Sequence, residues 1–273
     1  MKRIDHFVIA IALIAGAALF YWRGIPGLTA HGETPVSAQI GEFVRDLLPI
    51  NDHEVGPFDL SPKASDAVRR WSVSVKYSFI GKMNDVDYAQ FDEVFADAAR
   101  VTNLNISKFQ LGEPGAPNLV IMFLGDIGMV LNEPFVERVF RRATESKESF
   151  AQRMRQSFAA GWLQAVTNDR TERTLVVHVI NAKTHANDMN TLIPKIVFRS
   201  VAVIFTSDKY RPSVANVNPS SLLTKLQPID LAFLRAYYSP RVAKGMQHRF
   251  AIPVIAEQIR NEIVTDSRAP KSQ

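Results

Sequence analysis

No cysteine occurs anywhere in the 273-residue chain, which removes a disulfide framework, a thiolate zinc site and thiol catalysis together. The six histidines, at positions 6, 31, 53, 178, 185 and 248, do not cluster. None stands four residues from another, so the His-Glu-x-x-His arrangement that holds a catalytic zinc on one helix is missing. Gly-x-Ser-x-Gly is absent as well, and no glycine-rich phosphate loop is present; Gly125-Asp126-Ile127-Gly128 is a turn signal only. The net charge of +5 leaves room for an anionic partner. The cations are nevertheless spread among acidic residues, with no basic stripe interleaved with aromatics, and nucleic acid is therefore not an expected partner.

What the chain does carry begins at its start. Lys2 and Arg3 precede an apolar run from Phe7 to Trp22, which Arg23 closes. A charged start and an apolar segment of this length fit a secretory signal or an N-terminal anchor. No small-x-small cleavage site follows closely, so the expectation is an uncleaved signal anchor over residues 1–23, a transmembrane helix with Tyr21 and Trp22 at the interface. Lys2 and Arg3 would keep the N-terminus in the cytoplasm. The expected location is thus the inner membrane, single-pass, with the domain in the periplasm.

Residues 24–60 read as a linker with one short amphipathic helix, Val36 to Leu48, whose Ile40, Phe43, Val44, Leu47 and Leu48 share a side. Residues 61–264 read as a single domain, and residues 265–273 as a flexible tail. Ser61-Pro62 suits a helical turn reaching Arg70. Trp71 to Ile80 alternates as a half-buried strand, and Asp85 to Arg100 repeats at helical spacing. Leu104 to Phe109 and Asn118 to Leu124 read as strands, the second apolar on both faces and so central. Helices are expected over Pro134 to Ala143 and Lys147 to Ala160. Trp162 to Thr167 and Thr174 to Ile180 form a hairpin, and from Asn190 an apolar helix buried nearly all round runs through Ile204. Helices over Ile229 to Tyr238 and Pro253 to Val264 complete the chain. The expected fold class is α+β, a small, mostly antiparallel sheet packed by helices.

Few residues invite a chemical role. His53, with Asp52 and Glu54, lies in a loop. His178 in its apolar strand reads as a hydrogen-bonded core residue, and His185 with Asn187 and Asp188 as a cap on the following helix. Arg138, Arg141, Arg142, Lys147, Arg153 and Arg155 interleave with glutamates and read as a solvated face. The loop Asn216 to Thr224 offers hydroxyls but reads as an ordinary connection. Asp126, Asp188 and Asp230 are the carboxylates a hydrolase would use, Asp230 reading first as a partner of its helix dipole.

Arg70-Trp71, the stretch Leu226-Gln227-Pro228-Ile229-Asp230, the run Leu234 to Arg241 and Lys244-Gly245-Met246 together resemble the domain-of-unknown-function 2927 family. The resemblance covers about Ser65 to Met246 and implies an exported proteobacterial protein. It also implies a fold distantly zincin-like, after the metallopeptidases, with the active helix where Ile196 to Phe205 stand. Between Leu192 and Phe205 this chain has no Glu, Asp or His, only Lys195 and Arg199. The family's two cysteines, implied to pair, are both absent. The expectation is a membrane-anchored periplasmic protein, non-catalytic, with no cofactor or metal, acting as a binding or envelope-associated module. Its expected partners are the inner membrane, through Phe7 to Trp22, and an envelope protein; the alternative is a peptidase-like envelope hydrolase with an unrecognised site.

Overall fold

The computed structural model describes residues 36–48, 67–131, 147–169, 172–202, 204, 206–208, 210, 212–216 and 223–268. The expected anchor at Phe7 to Trp22, His53, Arg138, Arg141, Arg142 and the helix expected over Pro134 to Ala143 lie outside these residues. Among the described residues no helix is long and apolar enough to cross a membrane. Residues 39–273 form one compact unit.

In chain order the elements are α1 (Val36–Leu47), β1 (Val75–Ile80), α2 (Asp85–Thr102), β2 (Ile106–Lys108), β3 (Leu119–Leu124), α3 (Gly128–Leu131), α4 (Lys147–Ala159), β4 (Trp162–Asp169), β5 (Glu172–Asn181), α5 (Met189–Val201), α6 (Pro228–Tyr237) and α7 (His248–Arg268). The sheet has five strands in the order β2-β1-β3-β5-β4. The pairs β1 with β2, β1 with β3 and β3 with β5 are all parallel. Only β4, on the edge, runs antiparallel, its Trp162 opposite Ile180 and Gln164 opposite His178.

The fold is therefore α/β and not the expected α+β with a mostly antiparallel sheet. The physical reason lies in the connections. A helix or long segment returns the chain to the same end of the sheet between β1 and β2, and again between β2 and β3, as parallel neighbours require. The hairpin β4–β5 is local and is the one antiparallel pair.

Both faces of this sheet are covered. On one, α1, α2, α5, α6 and α7 build the main core, which includes Phe43, Phe91, Ile121, Ile196, Phe198, Phe233 and Ile255. On the other, Ile127 and Val130 around α3 and Phe150, Met154 and Phe158 of α4 pack on Val177 and Val179 of β5. Strand β5 thus buries alternate side chains against opposite layers, which explains its apolar run. Between β1 and α2 the turn passes so close to β3 that a Cβ on Gly81 would sit 2.0 Å from the Phe123 carbonyl oxygen, and its φ of +93° also favours glycine.

Several boundaries differ from expectation. Residues 67 and 70 are not helical; Ala67 bridges to Gln247 and Arg70 to Glu172. Strand β1 begins only at Val75, leaving Val73 54% exposed. Helix α5 ends at Val201, before Ile204. Helix α7 begins at His248 and carries Pro253 in its sixth position, past the first turn, where proline has no N–H to donate to the Arg249 carbonyl.

Candidate functional site

Helix α5 lies where the resemblance implies an active helix. Its buried side chains include Leu192, Ile193, Ile196, Val197, Phe198 and Val201. A zincin site takes two histidines and a glutamate base from one helix face, and α5 offers none of these residue types. The residues present do not fit that metal, and among the described residues no group of three or more His, Cys, Asp or Glu side chains gathers to hold an ion.

Behind α5 lies a polar network that looks catalytic in composition. His178 Nε2 is 2.8 Å from Ser200 Oγ, and both side chains are fully buried. The hydrogen-bond directions decide what this pair does. Trp162 Nε1, a donor only, donates to His178 Nδ1 at 3.1 Å. Burial, then the nearby Arg199 and Arg173, hold the imidazole well below its usual pKa, so the ring is neutral and its proton sits on Nε2. Nε2–H therefore donates to Ser200 Oγ, whose own proton goes to the Ile196 carbonyl at 2.7 Å. The imidazole is a donor toward the serine, the reverse of what a general base requires. This pair packs and orients.

The same network ties down the C-terminal end of α5. Arg173 Nη1 donates to the carbonyls of Arg199, at 2.8 Å, and Ser200, at 2.5 Å. Gln164 also donates to Arg199 O, Trp71 Nε1 to Ser200 O, and the Tyr238 hydroxyl to Val201 O. Helix carbonyls without intrahelical partners and the negative end of the helix dipole are thereby satisfied by cationic and neutral donors.

The other sequence candidates fall in separate settings. Asp126, after β3, accepts from Gly128 N at 2.9 Å in a tight turn. Asp188 precedes α5 but makes no side-chain cap; its Oδ1 instead lies 2.8 Å from His185 Nδ1. The expected cap is thus corrected to a His–Asp contact. His185 Nε2 is directed at Gly161, where a Cβ would come within 2.4 Å of it. Asp230 is fully buried and accepts from Ser213 Oγ (2.6 Å), Gln227 N (2.8 Å) and Val214 N (3.1 Å). Burial raises its pKa to about 6 against the opposing pull of those three donors. It fastens the segment around Ser213 to the start of α6, and Asn216 helps close that segment by donating to Tyr210 O. On α4, Arg153 lies over the Phe150 ring and Glu148 is exposed.

What α5 presents outward is narrow. Past Asn190, every position through Val201 is buried except Thr191, Lys195 and Arg199. These stand at i, i+4 and i+8 and so form one stripe. The Arg199 guanidinium lies 5.2 Å from the centre of the half-buried Trp162 ring, which stacks in turn on His178 at 5.5 Å. This half-buried stripe carries a hydroxyl, an ammonium and a guanidinium, the last against an aromatic face that contributes cation–π attraction. Lys195 and Arg199 were visible in the sequence as the only charges of an apolar run. What made them a surface was which stripe of α5 the other helices left open.

The residues most motif-like in sequence form a clasp. Arg70 Nη1 donates to the carbonyls of Tyr237 and Ser239, the Tyr237 hydroxyl donates to Arg69 O, and Trp71 N donates to the Tyr238 hydroxyl. Val68 exchanges backbone bonds with Met246 and Gly245, and Lys244 pairs with Glu172. The segment before β1 is thereby stapled to the α6–α7 junction. A family model described as "Protein of unknown function (DUF2927)" matches residues 58–257. No curated protein and no solved structure matched the chain.

Proposed function

Because the chain belongs to the DUF2927 family of proteins of unknown function, we propose that it is a membrane-anchored periplasmic module that binds a partner rather than transforming a substrate. The observation that carries this reading is the state of α5: buried on all sides but one, with its polar neighbours engaged in holding it. Its half-buried stripe offers the Lys195 ammonium for recognition and no nucleophile–base pair. Anchoring through Phe7 to Trp22 is supported by the cationic start and the apolar run that follows.

The test places a photo-crosslinking amino acid at position 195 of the full chain in its native membrane. A discrete crosslinked species, absent when the label is moved to the buried position Val197, is the expected result. A chain that forms no crosslink from position 195, and that turns over an envelope substrate, would refute the binding reading.

A further inference from the structure

We propose that the outer edge of β2 is a self-association surface, where a second copy of this chain adds its own β2 antiparallel and continues the sheet from one protomer into the other.

This edge is open in its backbone. Val75 N donates to Asn105 O at 2.8 Å and Phe109 N to Tyr77 O at 2.7 Å, so β2 is held against β1 from Asn105 to Phe109. Bonds in a ladder alternate along the strand, and Ser107, midway between, also turns its N–H and C=O toward β1. Those of Ile106 and Lys108 consequently point away from the sheet, and among the described residues no group bonds them. Ser107 and Lys108 are exposed and Ile106 is half-buried. A row of unpaired backbone groups is a template for another strand, and an edge lysine is a common guard against it. Here the guard is turned aside: the Lys108 ammonium lies 5.4 Å from the centre of the Phe79 ring and 5.5 Å from that of Tyr88, back over its own protomer. The far edge of the sheet differs, since Gln164 of β4 is buried there.

The two ends of β2 select a second copy over an unrelated strand. Just past β2 a turn closed by Glu113 N on Gln110 O at 3.1 Å, and tied down by the Lys76–Glu113 ion pair at 2.6 Å, holds Leu111 fully exposed. Just before β2 lies Leu104, packed on the core yet only half-buried. In an antiparallel pair the end of each strand meets the start of the other, so a two-fold axis brings Leu111 of each protomer toward the partner's Leu104. With that axis at Ser107, Ile106 lies opposite the partner's Lys108, each such pair exchanging two backbone bonds, and Ser107 faces its own copy. No like charges stand directly opposite at these positions. A seam this short gives a transient dimer, which a covalent trap at its centre reads directly.

The chain has no cysteine, so one introduced thiol reports without background. Residues that face each other as a non-hydrogen-bonded antiparallel pair have Cα atoms about 4.5 Å apart, inside the range a disulfide spans. The full chain carrying S107C, treated with a membrane-permeant oxidant in intact cells, should run at twice the chain mass on non-reducing gels and return to the monomer on reduction. N105C should stay monomeric, because in this register it lies four positions, about 13 Å along the strand, from its own copy. Adding L111E to S107C should lower the dimer yield several-fold with an unchanged melting temperature, since that side chain is fully exposed in its own protomer. Adding K108P, which deletes an outward N–H and no bond to β1, should do the same, and L111E serves if K108P folds poorly. An S107C dimer no more abundant than that of N105C overturns the proposal, and so does an undiminished yield from S107C/L111E. An S107C adduct to a different protein overturns it as well, because the edge then belongs to another chain. The crosslink at position 195 has no part in these outcomes, so this proposal and the binding reading fail separately.

Discussion

At the residue scale, two buried ionisable groups behave in opposite ways for the same reason. Burial disfavours charge, so His178 is held neutral and Asp230 is pushed up to about 6. For Asp230 the folded-state value lies above the ordinary carboxylate value of 3.8, so the folded protein binds this proton more tightly than the unfolded chain does. Its contribution to stability is greatest below about pH 4 and declines as pH rises to about 6, above which it is level. Urea unfolding of the wild type against Asp230→Asn should show that slope in the wild type only. Asp230→Ala removes an acceptor from three donors at once and should cost about 2–4 kcal/mol at neutral pH, measured in the same way. The His178 ring should be neutral at neutral pH by NMR, with its proton on Nε2, since burial holds it well below its usual pKa and the Trp162 bond occupies Nδ1. The sequence marked His178 as a core histidine and Asp230 as a first-turn acid from their immediate neighbours. It could not show that Trp162 and Ser200 flank the imidazole, since these partners stand 16 and 22 residues away.

At the element scale, α5 combines two demands that rarely coincide. It is packed like a core helix, and truncating Phe198, fully buried against Phe233, should cost about 3–5 kcal/mol in thermal or denaturant unfolding. It also has to end inside the protein, and the donors from Arg173, Gln164, Trp71 and Tyr238 make that end tolerable. Tyr238→Phe should therefore lose about 1–2 kcal/mol, because it leaves the Val201 carbonyl without its hydroxyl donor. The apolar pattern of this helix was plain in the sequence. Its C-terminal clasp was not, because the donors come from β4, β5, the residue that follows α6 and the segment before β1. The turn at Gly81 belongs to this scale as well: Gly81→Ala should destabilise by about 2–4 kcal/mol, since the new methyl meets the β3 backbone and cannot rotate away.

At the scale of the whole molecule, the anchored reading makes a direct prediction. The full chain should fractionate with membranes and be cleaved by protease added to spheroplasts, whereas a chain starting after residue 34 should not remain with the membrane; a full chain found in the soluble fraction overturns it. The sequence by itself determined most of the described helices and strands, because hydrophobic period is a local property: α2, α4, the β4–β5 hairpin and the buried side of α1 all follow from it, while short α3 and the bridging segment at Ala67 and Arg70 do not. It also contained the signal for a parallel sheet, the apolar runs of β3 and β5 on both faces. Strand order and direction are settled by pairings between segments far apart in the chain, such as Tyr77 with Leu119 and Leu119 with Val176. Only the tertiary structure decided that the sheet is mostly parallel, that the family-like residues form a clasp, and that Lys195 and Arg199 lie on the half-buried stripe of α5. Which face of a helix remains open depends on every other element that packs against it.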